Sequence, residues 1–241
     1  MRVFLNSISG IDDAFTSLLM SKRSWSAEKE DQIRDNCAAV LARDGSLRED
    51  CSPDALAEYQ CRMDALLKWG VHHITLLKFI DLSFTVEGLH RAGQDDWDSH
   101  AERFHNRIIR SSTRLADFQG GEMSDWYKDK IIPTDEALKL FQIVLPDTLT
   151  KDGETYVRAV NGYVRQGMEN NKDVKRGLYM LSIPSNFIYR CDLANFAHVY
   201  QQRGAHGGAN PEVKQAAEMM VDALQAFQPT ITREVLMRVE S

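Results

Sequence analysis

Only four cysteines occur in the 241 residues, and no two of them form a CxxC pair. Cys37, Cys51, Cys61 and Cys191 therefore offer no metal-type thiolate pairing, and in a chain of this size they are expected to be reduced and partly buried. None stands beside an obvious base, which argues against a thiol nucleophile. Long apolar runs are missing: none reaches the ~18 residues that a membrane helix needs. The opening MRVFLNSIS has one arginine and too short an apolar stretch for a secretory signal, so a cytoplasmic protein is expected. An excess of positive charge is missing as well. The net charge is −6 and the pI near 5.7, which argues against general electrostatic binding to nucleic acid. No GxGxxG, GxxxxGKS/T or HExxH pattern occurs, so neither a Rossmann site, a P-loop nor a zincin helix is supported. No repeat, low-complexity tract or flexible linker divides the chain, and one domain over 1–241 is the economical organisation.

What is present is enough to build a core. Apolar residues make up 43% and charged residues 27%, the balance of a soluble globular chain. Arg2–Leu5 alternates like a strand, and Asp12–Leu19 reads as a short helix. Ser26 is placed to cap a helix carrying Ile33, Cys37 and Val40 on one face, ending near Gly45. Ser52-Pro53-Asp54 opens another, which Gly70 ends. Phe79–Gly88 reads as a strand, Arg91–Arg103 as a helix with an inserted loop, and Arg107–Phe118 as a further strand. Gly120-Gly121 marks a turn. Pro133–Glu136 starts a helix predicted to bury Leu138, Phe141 and Val144. Glu154–Gln166 is predicted helical, Gly177–Ile183 and Phe187–Tyr189 are short strand candidates, Leu193–Gln202 is a helix, and Asn210-Pro211-Glu212 begins the most regular amphipathic helix, with Val213, Ala217, Met220 and Leu224 in step.

Chemistry concentrates between Gly70 and Arg114. Five of the seven histidines lie there: His72, His73, His90, His100 and His105. The stretch ends in Arg107, Arg110, Ser111, Ser112, Thr113 and Arg114. Forked guanidinium groups with hydroxyls and backbone N–H groups suit a phosphate, although the same residues also describe a solvated basic strand edge. His72 and His73, with Asp95, Asp96, Asp98, His100 and His105, raise a second possibility, a metal-dependent phosphohydrolase. Arg203 precedes GAHGGAN, whose glycines permit close backbone approach to a ligand or simply form a turn between helices.

Taken together, Gly70–Phe84, Ile108–Arg114 and Phe187–Lys214 resemble the flavin-dependent thymidylate synthases. His73 and Thr75 match the start of that pattern, Leu82-Ser83-Phe84 its strand end, and Ser112-Thr113-Arg114 its Ser-x-Arg. Ile183-Pro184 matches Leu-Pro, Gln202-Arg203 matches Leu-Arg, and Ala209–Lys214 matches the closing Ala-Gln-x-Glu-Ile-Arg. Order and approximate spacing hold over about residues 70–225; the N-terminal part matches loosely, through Ser24. The departures are large. Arg103-Phe104-His105 stands for Arg-His-Arg, Lys78 for a Glu, Ile109-Arg110 for Asn-Glu and Asp192-Leu193-Ala194 for Asn-x-Arg, and the Asp95–His100 stretch looks inserted.

The resemblance implies an α+β fold, a central antiparallel sheet flanked by helices, in a homotetramer with active sites between subunits. It implies FAD reduced by NADPH, and one-carbon transfer from methylenetetrahydrofolate to C5 of a uridine nucleotide, UMP or dUMP. On this mapping Arg203 is the catalytic residue at the uracil, and Arg103, Arg107, Ser112 and Arg114 join it in holding the nucleotide. Ser24, His73, Thr75, Arg103, His105, Asp192 and His198 would contact FAD. The altered motifs suggest a specialised branch: a uridylate C5-methylase of a nucleoside-antibiotic pathway, a phage enzyme making thymidylate or a 5-hydroxymethylated pyrimidine, or a relative that binds nucleotide without turnover.

Overall fold

The alternating segment DLSFTVEGLH becomes the central strand β2 (Asp81–His90). Leu82, Phe84 and Val86 turn to one face and are buried, while Ser83, Thr85 and Glu87 take the other. In the computed structural model, which describes residues 1–100, 106–112, 122–171, 173–174, 177–205 and 208–239, β2 pairs antiparallel with β1 (Arg2–Ser9) and with β7 (Pro184–Asp192). Strand β3 (Asn106–Arg110) adds to the far side of β7, giving the order β1-β2-β7-β3. The register of β2 on β7 shifts between Val86 and Leu89, where Gly88 has φ +83° and donates its N–H to Asn186 Oδ1 at 3.0 Å. This bulge returns Leu89 to the buried face.

Helices cover that buried face. They are α1 (Ile11–Ser21), α2 (Ala27–Val40), α3 (Pro53–Gly70), α6 (Leu193–Tyr200) and α7 (Pro211–Phe227), with a 3-10 turn at Ile74–Phe79. The start signals act as expected. Ser26, Ser52 and Asn210 accept hydrogen bonds from the N–H groups of Lys29, Ala55 and Glu212 at 3.3, 3.2 and 2.9 Å. Helix α7 lays Val213, Ala217, Met220 and Leu224 against β1 and β2. Gly10, between β1 and α1, is required: its φ is +77°, and a Cβ there would stand 2.0 Å from the Phe79 carbonyl oxygen. The other face of the sheet is open and carries Phe4, Ile109 and Ile188 exposed. The α+β architecture, an antiparallel sheet flanked by helices, is the one expected.

Four expectations are corrected. Glu154–Gln166 is not a helix but a hairpin of β5 (Glu154–Ala159) and β6 (Gly162–Arg165), joined to β4 (Thr148–Lys151) in a separate sheet. Asn161 at φ +59° followed by Gly162 turns the chain, and Thr155, Tyr156, Val157 and Val164 favour strand, which outweighs the helical spacing of the valines. Helix α5 (Thr134–Leu140) forms as expected but buries nothing; Phe141 and Val144 are 77% and 90% exposed, because apolar spacing marks a stripe without saying what covers it. Residues 177–183 are turns and irregular chain; the strand starts at Pro184, whose missing N–H is tolerated at a first position. Finally, β3 ends at Arg110, and 113–118 lie outside the described residues.

One buried polar contact joins three distant segments. Gln228 is fully buried; its Oε1 accepts from the Tyr59 hydroxyl at 2.8 Å, and its Nε2 donates to the Gly45 carbonyl at 2.9 Å. Gln228→Ala leaves both partners unpaired and is expected to lower unfolding stability by on the order of 3 kcal/mol, read from urea denaturation. A shift below about 0.5 kcal/mol would show that the contact does not matter.

Candidate active site

Helix α4 (Arg91–His100) leaves directly from the end of β2. Trp97 is fully buried and meets Tyr189 of β7 edge-on, ring centroids 5.6 Å apart at 85°. Anchoring Trp97 inward fixes the rotation of the helix, and the three neighbouring aspartates then fan out by helical steps. Asp95 and Asp98, three apart, share one edge and both ion-pair with Arg110 of β3, Asp98 at 2.8 Å. Arg110 Nη2 also donates to the Gln94 carbonyl at 3.1 Å. Asp96 points elsewhere and pairs with Arg203 at 2.8 Å.

Arg203 stands on a π-helical turn, Gln201–Ala205, that continues α6. Such turns recur at functional sites because they push side chains out of helical register. Gly204 makes this one possible: a Cβ there would lie 2.4 Å from Tyr200 ring carbons and 3.3 Å from Ala217 Cβ. The Arg203 side chain is 12% exposed, and its Nε is buried without a partner among the described residues. A guanidinium so enclosed, with donors to spare, suits a planar acceptor better than a solvent anion.

The two adjacent histidines diverge. His72 lines a cavity of about 540 Å³ with Lys68, Thr230 and Arg238. His73 instead stacks on Trp69, 5.9 Å between centroids, with Lys22 Nζ 4.8 Å above the Trp69 ring. Thr75 is exposed on the 3-10 turn, which packs against α1, α3 and α6. His198, on α6, has a buried Nδ1 without a partner among the described residues. The 3-10 turn that carries Thr75, with His73 just before it, packs against α6, which carries His198. The described part of the metal reading does not converge: Asp95, Asp96 and Asp98 face arginines, and among the described residues no three His, Cys, Asp or Glu could hold a metal ion.

The remaining site residues separate. Arg107 is exposed on the open face of β3, opposite Arg190, which ion-pairs with Asp81 at 2.9 Å. Ser112 is exposed just beyond β3, and the preceding Ser111 N–H donates to the Asn186 carbonyl at 2.8 Å. Asp192 is buried and caps α6, accepting from the Asn195 N–H at 2.8 Å; Ser24 donates to the Leu19 carbonyl at 3.3 Å. Both side chains hold local structure. Arg103, His105, Thr113 and Arg114 lie outside the described residues. Burial pushes the Cys37 thiol up to about 12 and Cys191 higher still, so neither is a thiolate at neutral pH.

Sequence reasoning missed one buried cluster. His90 Nδ1 and the Ser124 hydroxyl, the latter at 2.9 Å, both donate to Glu212 Oε2. The ring of Tyr127 meets His90 edge-on at 4.9 Å, and Trp126 stacks at 6.5 Å. The cluster ties the segment around Ser124 to the ends of β2 and α7. Glu212 was visible within the closing motif; His90 and Ser124 carried no local signal.

By sequence the chain matches no protein-family model and no curated protein. By structure it resembles thymidylate synthase X from Helicobacter pylori complexed with FAD and dUMP. Two such structures have TM-scores of 0.57 and 0.56, at 10% and 12% identity, covering 100% and 98% of this chain and 100% of the other. It also resembles the UMP/dUMP methylase PolB from Streptomyces cacaoi bound to 5-Br dUMP, at TM-score 0.55 and 13% identity, covering 100% of this chain and 97% of that one. The fold expected from the motifs is therefore the fold observed, over its whole length.

The Glu212 cluster gives a pH prediction. Burial raises the Glu212 carboxyl pKa, but hydrogen bonds from His90 and Ser124 outweigh it and hold the pKa below the ordinary value of 4.5. A depressed folded-state pKa contributes stability that is complete above the unfolded value and lost as pH falls through the folded one. The acid limb of stability below about pH 4.5 is thus expected to flatten in Glu212→Gln, measured by urea unfolding across that range. An unchanged slope would deny the carboxylate this role.

Proposed function

We propose that the protein is a flavin-dependent C5-methyltransferase that acts on a uridine nucleotide, UMP or dUMP, with methylenetetrahydrofolate as one-carbon donor and NADPH as reductant. The observation that carries this reading is the presentation of Arg203, nearly enclosed on a π-turn, in a chain whose whole length has the fold of FAD- and dUMP-binding enzymes. Arg203 donates N–H groups to a uracil carbonyl oxygen and stabilises the negative charge that develops as C5 becomes nucleophilic. Ser112, with Arg103, Arg107 and Arg114, holds the phosphate. His73, Thr75 and His198 hold the flavin, with His105 and Arg103 completing the contact. Bound FAD supplies the hydride chemistry that no side chain here offers. The raised pKa of the buried Cys37 and Cys191 thiols keeps those two cysteines from acting as nucleophiles. The active form is a homotetramer with shared sites, a reading supported by the exposed Phe4, Ile109 and Ile188 on the open sheet face.

The test is incubation with FAD, NADPH, methylenetetrahydrofolate and either UMP or dUMP, followed by product mass. A gain of one methyl is expected. A gain of one hydroxymethyl would assign the sister reaction, and a colourless protein that takes up no FAD and leaves both nucleotides unchanged would overturn the reading. Arg203→Ala is expected to lower turnover by about 100-fold or more while FAD uptake persists; wild-type turnover would remove Arg203 from the chemistry.

A further inference from the structure

The aspartates of α4 are not equivalent. Asp95 and Asp98 are committed to Arg110, whereas Asp96 is turned by the Trp97 anchor toward Arg203 and remains 33% exposed. Arg203 and Asp96 therefore present, 2.8 Å apart and at one place, a donor-only and an acceptor-only group. A uracil ring shows the opposite sequence along its edge: carbonyl acceptor, N3–H donor, carbonyl acceptor. Cytosine shows an amino donor, then N3 as an acceptor, then a carbonyl.

We propose that Asp96 selects the base: its carboxylate accepts the N3–H of a uracil while Arg203 donates to the adjacent carbonyl oxygen. The proposal rests on the reading that Arg203 meets the uracil. Arg203 alone is a poor discriminator, because both pyrimidines offer a carbonyl to a guanidinium. The carboxylate supplies the difference. Against cytosine it faces the N3 lone pair, acceptor to acceptor, and a site built to pair a hydrogen-bonding group rejects a ligand that lacks the partner.

The test is equilibrium binding of UMP, dUMP, CMP and N3-methyl-UMP to the full chain loaded with FAD. Wild type is expected to prefer UMP or dUMP over CMP and over N3-methyl-UMP by about tenfold or more. Asp96→Asn carries an amide that can turn its NH2 to the cytosine N3, so its preference for UMP over CMP is expected to shrink by about tenfold. Gained CMP binding cannot arise from misfolding, and the N3-methyl comparison needs no variant. Equal wild-type affinity for UMP and N3-methyl-UMP would overturn the proposal. So would Asp96→Asn binding UMP more tightly with the UMP-to-CMP ratio unchanged, since Asp96 would then only compete with the base for Arg203. Either result, with uridine nucleotides still bound, leaves the proposed function standing; wild type binding neither UMP nor dUMP would remove both.

Discussion

The site depends on a run of aromatic contacts through the covered face of the sheet. Trp97 of α4 meets Tyr189 of β7, Tyr189 stacks beside Phe84 of β2 at 6.5 Å, and Phe84 stacks on Phe196 of α6 at 5.2 Å. All four side chains are fully buried. Aromatic pairs of this kind add about 0.5–1.5 kcal/mol each beyond the area they bury, and they prefer particular ring angles. They therefore fix the positions of both helices and the rotation of each about its axis. Asp96 is the neighbour of Trp97, and Arg203 lies one irregular turn beyond α6. Their meeting at 2.8 Å is a consequence of where the aromatics pack.

The same arrangement settles a charge problem. Arg110 and Arg203 are each mostly enclosed, with side chains 17% and 12% exposed. Guanidinium groups taken from water need partners, since a buried unpaired charge costs several kcal/mol. Helix α4 supplies three carboxylates to two arginines. The acidic stretch that looks inserted by sequence is thus the electrostatic complement of the basic positions around it. Partial exposure of the Arg203 pair keeps its desolvation cost moderate and leaves it open to exchange with a ligand.

Much of the scaffold was legible because its causes are local. Ser26, Ser52-Pro53 and Asn210-Pro211 announce helix starts through hydroxyl, amide and proline chemistry that acts within one turn. The alternation of Leu82, Phe84 and Val86 announces β2. The hairpin at Asn161-Gly162 was equally local, but Val157, Val160 and Val164, three and four apart, gave a competing helical period. The site was legible only in part. Arg203, His73 and Thr75 stand out through motif order, whereas the pairing of Asp96 with Arg203, or of His90 with Glu212, joins segments far apart in sequence. No propensity or period encodes such a contact; only the packed core does. The divergence of His72 from His73 follows from the chain leaving α3, where Trp69 captures one ring and the cavity the other.

Strand alternation has a last consequence for the proposed chemistry. Along β3, Arg110 turns toward α4 on the covered side and Arg107 turns to the open face. Arg203 lies with α4, on the covered side. The sheet therefore stands between Arg107 and Arg203 within one chain. If Arg107 grips the phosphate of the nucleotide whose base meets Arg203, two copies offer that pair of arginines from facing sides more readily than one chain does. A site shared between chains reconciles the two roles, and the exposed Ile109 and Ile188 beside Arg107 give that open face the apolar character such a contact requires.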